Sequence, residues 1–299
     1  MKLNLSKSNY NIFLFHGVIR NNKYKIRNYT RKHLLEDYFF KQIKYLKNKG
    51  NAISLEEFVH LKKNKHILPK NSFSITFDDG FENNYSLAAP ILDDLRVPAT
   101  FYFSTDFIEN NTMSWIDKVE YCFELGFALN KISIKDFGIF DISTIKKKIT
   151  VLNQIRYTIK NNRNINVNKF VKNVFKAFGI REVISSNNPL DKKISWKQIL
   201  KLKKNRLFTI GAHSHIHMPI TYFSKREGEK QIDKSIDLFK KRINHKIIHY
   251  SYPEGQLNDF NLGSIKYLKK NGIICSPTAI NGSNNLNTDL FYLKRINVI

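Results

Sequence analysis

The sequence predicts an α/β protein, with about seven parallel strands, helices outside them and a mostly helical insertion. Three observations predict it. Short apolar runs bounded by turn residues alternate with helical periodicities through most of the 299-residue chain. One gap, between positions 103 and 207, is too long for a single crossover and reads as strongly helical. Residues suited to chemistry fall just after the apolar runs, where parallel α/β folds gather their sites. Seven such strands can close as a barrel or stay open and doubly wound.

The elements follow in order. "NIFLF" (11–15) is the first strand. Residues 33–49 set Leu34, Tyr38, Ile43 and Leu46 near helical spacing and stop at Gly50. Ser54 and Glu57 make a capping-box pattern ahead of "EEFVHLKK". "SFSITF" (72–77) and "ATFYF" (99–103) are strands, with a helix over 83–95 between them. Residues 106–195, which include "STIKKKITVLNQIRYTIKNN", form the helical insertion. Strands follow at "LFTIG" (207–211), "IIHYS" (247–251), "IICS" (273–276) and "FYLKRINV" (291–298), with helices over 225–243 and 260–270. Neither an internal repeat nor a low-complexity linker divides the chain, so a single domain over 1–299 is expected, with 106–195 inserted in it.

Composition narrows the class. With 42% hydrophobic and 13% aromatic residues, the chain can bury a substantial core, which excludes a disordered protein. The net charge of +25 is spread along the chain, and no zinc finger, helix-turn-helix or aromatic RNA-binding signature accompanies it. Nucleic acid is therefore not the expected partner. An anionic substrate, or peripheral membrane contact through the basic surface, stays open. Cys122 and Cys275 lie far apart and make no CxxC, so no disulfide framework is expected. "MKLNLSKSNYNIFLFHGV" lacks the features of a signal peptide, and no run of ~20 apolar residues could span a bilayer. The expectation is a cytoplasmic protein.

The second strand ends in Asp78-Asp79-Gly80, two like charges side by side, each raising the cost of ionising the other. By itself this is good turn chemistry. Other strand ends sharpen it. His16 follows the first strand, "AHSHIH" (212–217) the fourth and "YPEG" (252–255) the fifth. Three of the nine histidines thus fall within five residues, a clustering that chance does not readily give. On a helical turn, the His213-x-x-x-His217 spacing points two imidazoles one way and His215 another. With one carboxylate of the Asp pair they make a two-His, one-carboxylate set with positions left for water, the pattern of a catalytic Zn²⁺ or similar divalent ion. One Asp can then ligate the metal while the other acts as general base toward the attacking water.

These motifs, "TFDDG" (76–80), "HSHIH" (213–217, the form H-[ST]-x-x-H) and "YPEG" (252–255), resemble those of the polysaccharide deacetylase family, carbohydrate esterase family 4 or the NodB-homology domain. The resemblance implies a distorted (β/α) barrel and metal-dependent removal of an N-acyl group, usually acetyl, from an amino sugar. It implies that Asp79, His213 and His217 hold the metal, zinc first among candidates, and that Asp78 is the base. Ser214 would brace the histidine loop, and the Tyr252 backbone N–H would help stabilise the oxyanion. Two family features are missing. The C-terminus "FYLKRINVI" has no Leu-x-His motif; instead "LFHGV" (14–18) opens the chain, as in the circularly permuted branch, and makes His16 the expected general acid. No Arg flanks "SYPEG", which leaves Arg295 as a substitute for orienting the catalytic Asp. Trp115 and Tyr121 could stack on a sugar or pack in the core; Phe81 is expected to pack and Glu254 to be a solvated turn residue. The expected substrate is an N-acetylated sugar in a lipid-linked, nucleotide-linked or oligosaccharide precursor of a surface glycan. The alternatives are a deformylase or other amide hydrolase on this scaffold, or a catalytically silent glycan-binding member.

Overall fold

The computed structural model describes residues 3–5 and 9–299; residues 1, 2 and 6–8, part of the stretch read for a signal peptide, lie outside it. Strand β1 (Asn11–Phe15) is buried throughout. Two short strands, β2 (Gly17–Ile19) and β3 (His33–Leu35), pair in parallel before helix α1 (Glu36–Lys49). That pairing holds residues 33–35 extended, so the helix expected from 33 begins at Glu36. Next come β4 (Asn51–Ala52) and α2 (Leu55–Lys63), where Ser54 Oγ accepts from the Glu57 amide at 3.0 Å. Strand β5 (Ser72–Phe77) leads through a π-helical turn at Asn84–Ala88 into α3 (Ala89–Asp94) and β6 (Ala99–Phe103).

Helices α4 (Thr105–Asn110) and α5 (Trp115–Leu125) follow, then an antiparallel hairpin of β7 (Lys131–Ile134) and β8 (Gly138–Asp141). Helices α6 (Ile145–Asn161) and α7 (Val167–Ala177) complete this region. The hairpin was not expected; four-residue strands are too short for an alternation to stand out beside long helices. Helix α8 (Trp196–Lys204), β9 (Phe208–Ala212), α9 (Lys225–Ile243), α10 (Leu262–Lys270), β10 (Pro277–Asn281) and β11 (Leu293–Asn297) return the chain to the sheet.

All pairings of the main sheet are parallel, in the order β10-β11-β1-β5-β6-β9, with β4 beside β5. Residues 248–252 join its two edges. The Ala212 amide donates to His249 O and the Ser251 amide to Ala212 O on one side; the Tyr250 amide donates to Cys275 O on the other. The expected strands at 247–251 and 273–276 are thus isolated bridges rather than regular strands. Pro277, which has no N–H to give, interrupts the ladder there. The ring closes, but irregularly.

Alternation along β5 decides what faces the barrel interior. Phe73, Ile75 and Phe77 join the core that includes Phe39 and Ile43 of α1. Phe77 packs between Phe15 and Phe101, at 5.5 and 5.1 Å between ring centroids. Ser74 and Thr76 therefore point inward, and so does the next residue of that parity, Asp78. A separate apolar cluster is formed by α5, α6, α7 and the hairpin, including Val119, Phe123, Leu152, Ile155 and Phe175, joined by Ile26.

Candidate active site

Asp78 continues β5 for one residue: its amide donates to Phe15 O at 3.1 Å. Arg295 on β11 then grips its carboxylate bidentately, Nη1 to Oδ1 at 2.8 Å and Nη2 to Oδ2 at 2.7 Å. The guanidinium is itself held by Thr278 O, Thr76 Oγ1 and Ser251 Oγ. Arg295, only 1% exposed, is thereby a fixed fork matched to one carboxylate. Burial alone would raise the Asp78 pKa, but Arg295 and then His213 outweigh it and hold the group below the usual carboxylate range.

The chain turns sharply after Asp78. Asp79 has φ 72° and Gly80 φ 81°. Aspartate tolerates that left-handed region, whereas at Gly80 a Cβ would also come within 2.9 Å of Phe103. The turn sends the Asp79 carboxylate away from Arg295 and toward the histidines. Its Oδ1 lies 3.0 Å from His217 Nε2 and 3.7 Å from His213 Nε2.

The segment 213–217 is not the helical turn that was expected; it is a bend in which Ser214 (φ 59°) and His217 (φ 52°) are left-handed. Convergence of His213 and His217 nevertheless results, with ring centroids 4.8 Å apart. Ser214 Oγ accepts from the His217 amide at 3.1 Å, and the His217 ring stacks on Phe107. His213 Nδ1 donates to Ser251 O at 2.8 Å, which leaves Nε2 facing the carboxylates with its lone pair. His215 points elsewhere: its Nδ1 meets Thr105 Oγ1 at 2.9 Å.

Asp79, His213 and His217 present ligand atoms that all lie within 4.8 Å of one another, a set able to hold a metal ion. The donors fit a divalent cation in kind as well as position: one carboxylate and two imidazole nitrogens, with one ring oriented by a backbone carbonyl. Burial opposes ionisation of Asp79, yet His217 holds it well below the usual range. Burial would likewise lower His217, but Asp79 raises it. The pair shares a charge that a cation can replace.

Asp78, Asp79, His213, His217, His16 and Tyr252 all line one cavity of about 370 Å³. His16 follows β1 into it, with Nδ1 buried and without a hydrogen-bond partner among the described residues. Burial drives its pKa down to about 4 against the pull of Asp79 and Asp78. The Tyr252 amide lies 3.5 Å from Pro277 O, a contact longer than an ordinary N–H···O bond, on the seam that closes the barrel. Glu254 requires a correction: it lines this cavity and pairs with Lys160 of α6. Trp115 lines the cavity, whereas Tyr121 packs against the apolar cluster around α5. Phe81 is buried against His33 and beneath Lys193.

Sequence reasoning passed over Ser251, Thr76 and Lys32. Ser251 touches His213, Arg295 and Asp78 at once, and its only sequence signal is its place before "YPEG". Lys32 lines the cavity and binds Asp117 at 2.8 Å, a contact no local pattern announces.

Comparison with known proteins bears on this geometry. The family model described as "Polysaccharide deacetylase" matches residues 65–273. A poly-β-1,6-N-acetyl-D-glucosamine N-deacetylase of Staphylococcus aureus (strain MSSA476) is 34% identical over 96 residues. That match spans 32% of this chain and 32% of the relative, so only about a third of the curated relatives' length is matched. Among solved structures, the Streptococcus pyogenes deacetylase PplD in complex with acetate aligns over 98% of this chain and 94% of its own, with 16% identity and a TM-score of 0.60. IcaB from Ammonifex degensii aligns over 99% and 94%, with 14% identity and a TM-score of 0.60. These last two likenesses are of fold.

Proposed function

Because this chain belongs to the polysaccharide deacetylase family, we propose that it removes N-acetyl groups from amino sugars of a glycan or glycan precursor, using a divalent metal ion. The observation that carries the reading is the convergence of Asp79, His213 and His217 beside an Asp78 clamped by Arg295. We take 1–299 as one catalytic unit and 106–195 as an insertion in it. Asp79, His213 and His217 are the proposed ligands, and zinc is the first candidate for their mixed nitrogen and oxygen donors. When bound, the ion supplies Lewis acidity toward the amide carbonyl and the attacking water.

The chain's own residues divide the proton work. Asp78 is ionised at neutral pH and held in one orientation, so it accepts the proton that water loses as its oxygen joins the carbonyl carbon. As the C–N bond breaks, the amine nitrogen needs a proton, and His16 is the proposed donor on the same cavity. With a pKa near 4 it starts neutral, so the proton it hands to the nitrogen is one released within the cavity, the one Asp78 takes from the attacking water. This keeps the permuted assignment, in which His16, just after the first strand, does the work of a C-terminal histidine. The Tyr252 backbone N–H, held only by its long contact to Pro277 O, is the proposed donor that helps stabilise the oxyanion. No helix among the described residues is long and apolar enough to cross a membrane, so any membrane contact is proposed as peripheral.

The test is acetate release from a panel of N-acetylated sugars, with chelated and metal-reconstituted protein side by side. Metal-dependent acetate release is expected. N-formylated counterparts run beside the panel test the rival: formate from them, with no acetate from the N-acetylated sugars, would favour the deformylase reading. Tight sugar binding without any acyl release would instead favour a silent glycan-binding protein.

A further inference from the structure

One wall of the cavity that holds Asp79, His213 and His217 is basic. Thr30, Lys32 and Arg156 line it, the first two from the segment between β2 and β3 and the third from α6. Lys32 Nζ donates to Asp117 Oδ1 at 2.8 Å, and Arg156 Nη2 to Glu120 Oε1 at 2.6 Å. Asp117 and Glu120 stand on one face of α5, so a single helix supplies both counter-ions. The other oxygen of Asp117 lies 4.0 Å from Lys193 Nζ. Lys193 packs over the rings of Phe81 and Phe107, 3.6 and 4.9 Å from their centroids. Its ammonium is buried with no hydrogen-bond partner among the described residues. Asp117 thus serves two lysines.

With the neighbouring buried pair of Arg27 and Asp191 included, four cations at this wall face three carboxylates. The other paired charges of the cavity match one to one: Arg295 with Asp78, Lys160 with Glu254, and His217 with Asp79. One positive charge is left over at the wall. Burial would lower the Lys32 pKa, but Asp117 and then Asp79 raise it, so its ammonium persists at neutral pH. Burial lowers Lys193 to about 8, with Asp117 opposing the fall and Lys32 adding to it. Lys32 is the lysine that a ligand can reach, because its side chain is 19% exposed whereas that of Lys193 is sealed. An ammonium has three N–H donors, and Asp117 takes one of them. Arg156 Nε is also buried without a partner among the described residues. An oxyanion can therefore join the Lys32–Asp117 pair without breaking it, and it offsets a charge that is costly to leave uncompensated. Lys32 also acts electrostatically on both Asp79 and His16, which places it beside the sugar whose amide is cleaved. A surplus of one charge matches a carboxylate better than a phosphate dianion.

We propose that Lys32, with Thr30 and Arg156 beside it, forms an anion subsite in this cavity, and that the amino sugar processed here carries a carboxylate of its own. The proposal rests on the deacetylase reading for the reaction and on this wall for the substrate. Calorimetry tests it on the intact metal-loaded chain, and again after chelation, with three probes. They are N-acetylglucosamine, N-acetylglucosaminuronic acid and the phosphate monoester of N-acetylglucosamine at its primary hydroxyl. The uronic acid is expected to bind at least ~10-fold more tightly than the neutral sugar, with or without metal. Lys32→Met should erase that advantage and Lys32→Arg should keep it. Thr30→Glu sets a competing carboxylate at a half-buried position of the same wall and leaves Asp117 paired. It should erase the advantage too, and it serves if Lys32→Met folds poorly. Equal affinity for acid and neutral sugar, tighter binding of the phosphate than of the acid, or an advantage that survives either variant would overturn the proposal. An advantage that vanishes on chelation would also overturn it, by assigning the carboxylate to the metal. Acetate release from the metal-loaded chain separates the two readings. An acid that binds by this pattern but loses no acetate upholds the subsite and refutes the deacetylase. Acetate released from both sugars without any preference in binding does the reverse.

Discussion

Two buried histidine clusters in this protein use similar residues to opposite ends. At one, His213 and His217 face Asp79 across a cavity, with nitrogens converging on a common point. At the other, His249 is sealed within the irregular closure of the barrel, its Nδ1 3.2 Å from Cys275 Sγ and its Nε2 3.4 Å from Glu56 Oε1. His249 and Cys275 are both 0% exposed, and neither lines the cavity that holds Asp79, His213 and His217. The second cluster has a thiol, an imidazole and a carboxylate in contact, yet its thiol and imidazole are fully buried. Access and convergence, rather than residue type, separate a candidate site from a structural polar pair.

The sharpest way to break this comparison is to remove one residue from each cluster. Ala at Asp79, His213 or His217 should empty the metal site and abolish turnover, because a three-ligand site missing one holds its ion poorly. His215→Ala and His249→Gln should keep both metal and activity. Metal analysis after dialysis, beside acetate release, decides it; metal loss in His215→Ala with retention in His217→Ala would reverse the ligand assignment.

Within the open cluster, Asp78→Asn and His16→Ala should retain metal while losing turnover by the ~10²–10⁴-fold typical of general acid–base groups. Near-normal turnover in Asp78→Asn would reduce that residue to turn chemistry. For His16→Ala, the loss should fall on kcat while the metal is retained.

Arg295→Lys should cost less, about 10-fold in kcat with KM little changed, since the charge persists but the two-pronged grip on Asp78 does not. Arg295→Met leaves the buried Asp78 without its partner, a change that costs on the order of 3–5 kcal/mol of stability. Denaturant unfolding of the two variants separates orientation from folding.

The smallest effect belongs to the sealed cluster, and it concerns stability. Burial would depress His249, but the Cys275 sulfur and Glu56 win and raise its pKa from 6.5 to about 9. A histidine whose folded pKa is raised contributes stability that is fully present below the unfolded value near 6.5 and is lost as pH rises through about 9. Unfolding free energy should therefore decline across that window, and His249→Gln should flatten the slope whatever it does to stability overall. An unchanged slope would mean that His249 is neutral in the fold.

Much of this protein was legible in its sequence because the informative patterns are local. Period-2 alternation ending in Asp78, left-handed tolerance at Asp79-Gly80 and three closely spaced histidines each need only a few neighbouring residues to be read. The sequence by itself thus determined the α/β class, most strands, and the gathering of an Asp pair with His213 and His217 at strand ends; the choice of Asp79 over Asp78 came from the family resemblance. Tertiary structure decided the rest. Arg295 meets Asp78 across 217 positions, and that fork exists only because β11 lies beside β1, which lies beside β5. The same closure buries His249 against Cys275. The Lys160–Glu254 pair depends on how the end of α6 meets the loop after residue 252. Local pattern fixes what a residue can do and which way its strand points it; which partner it meets depends on register and closure, to which distant segments contribute together.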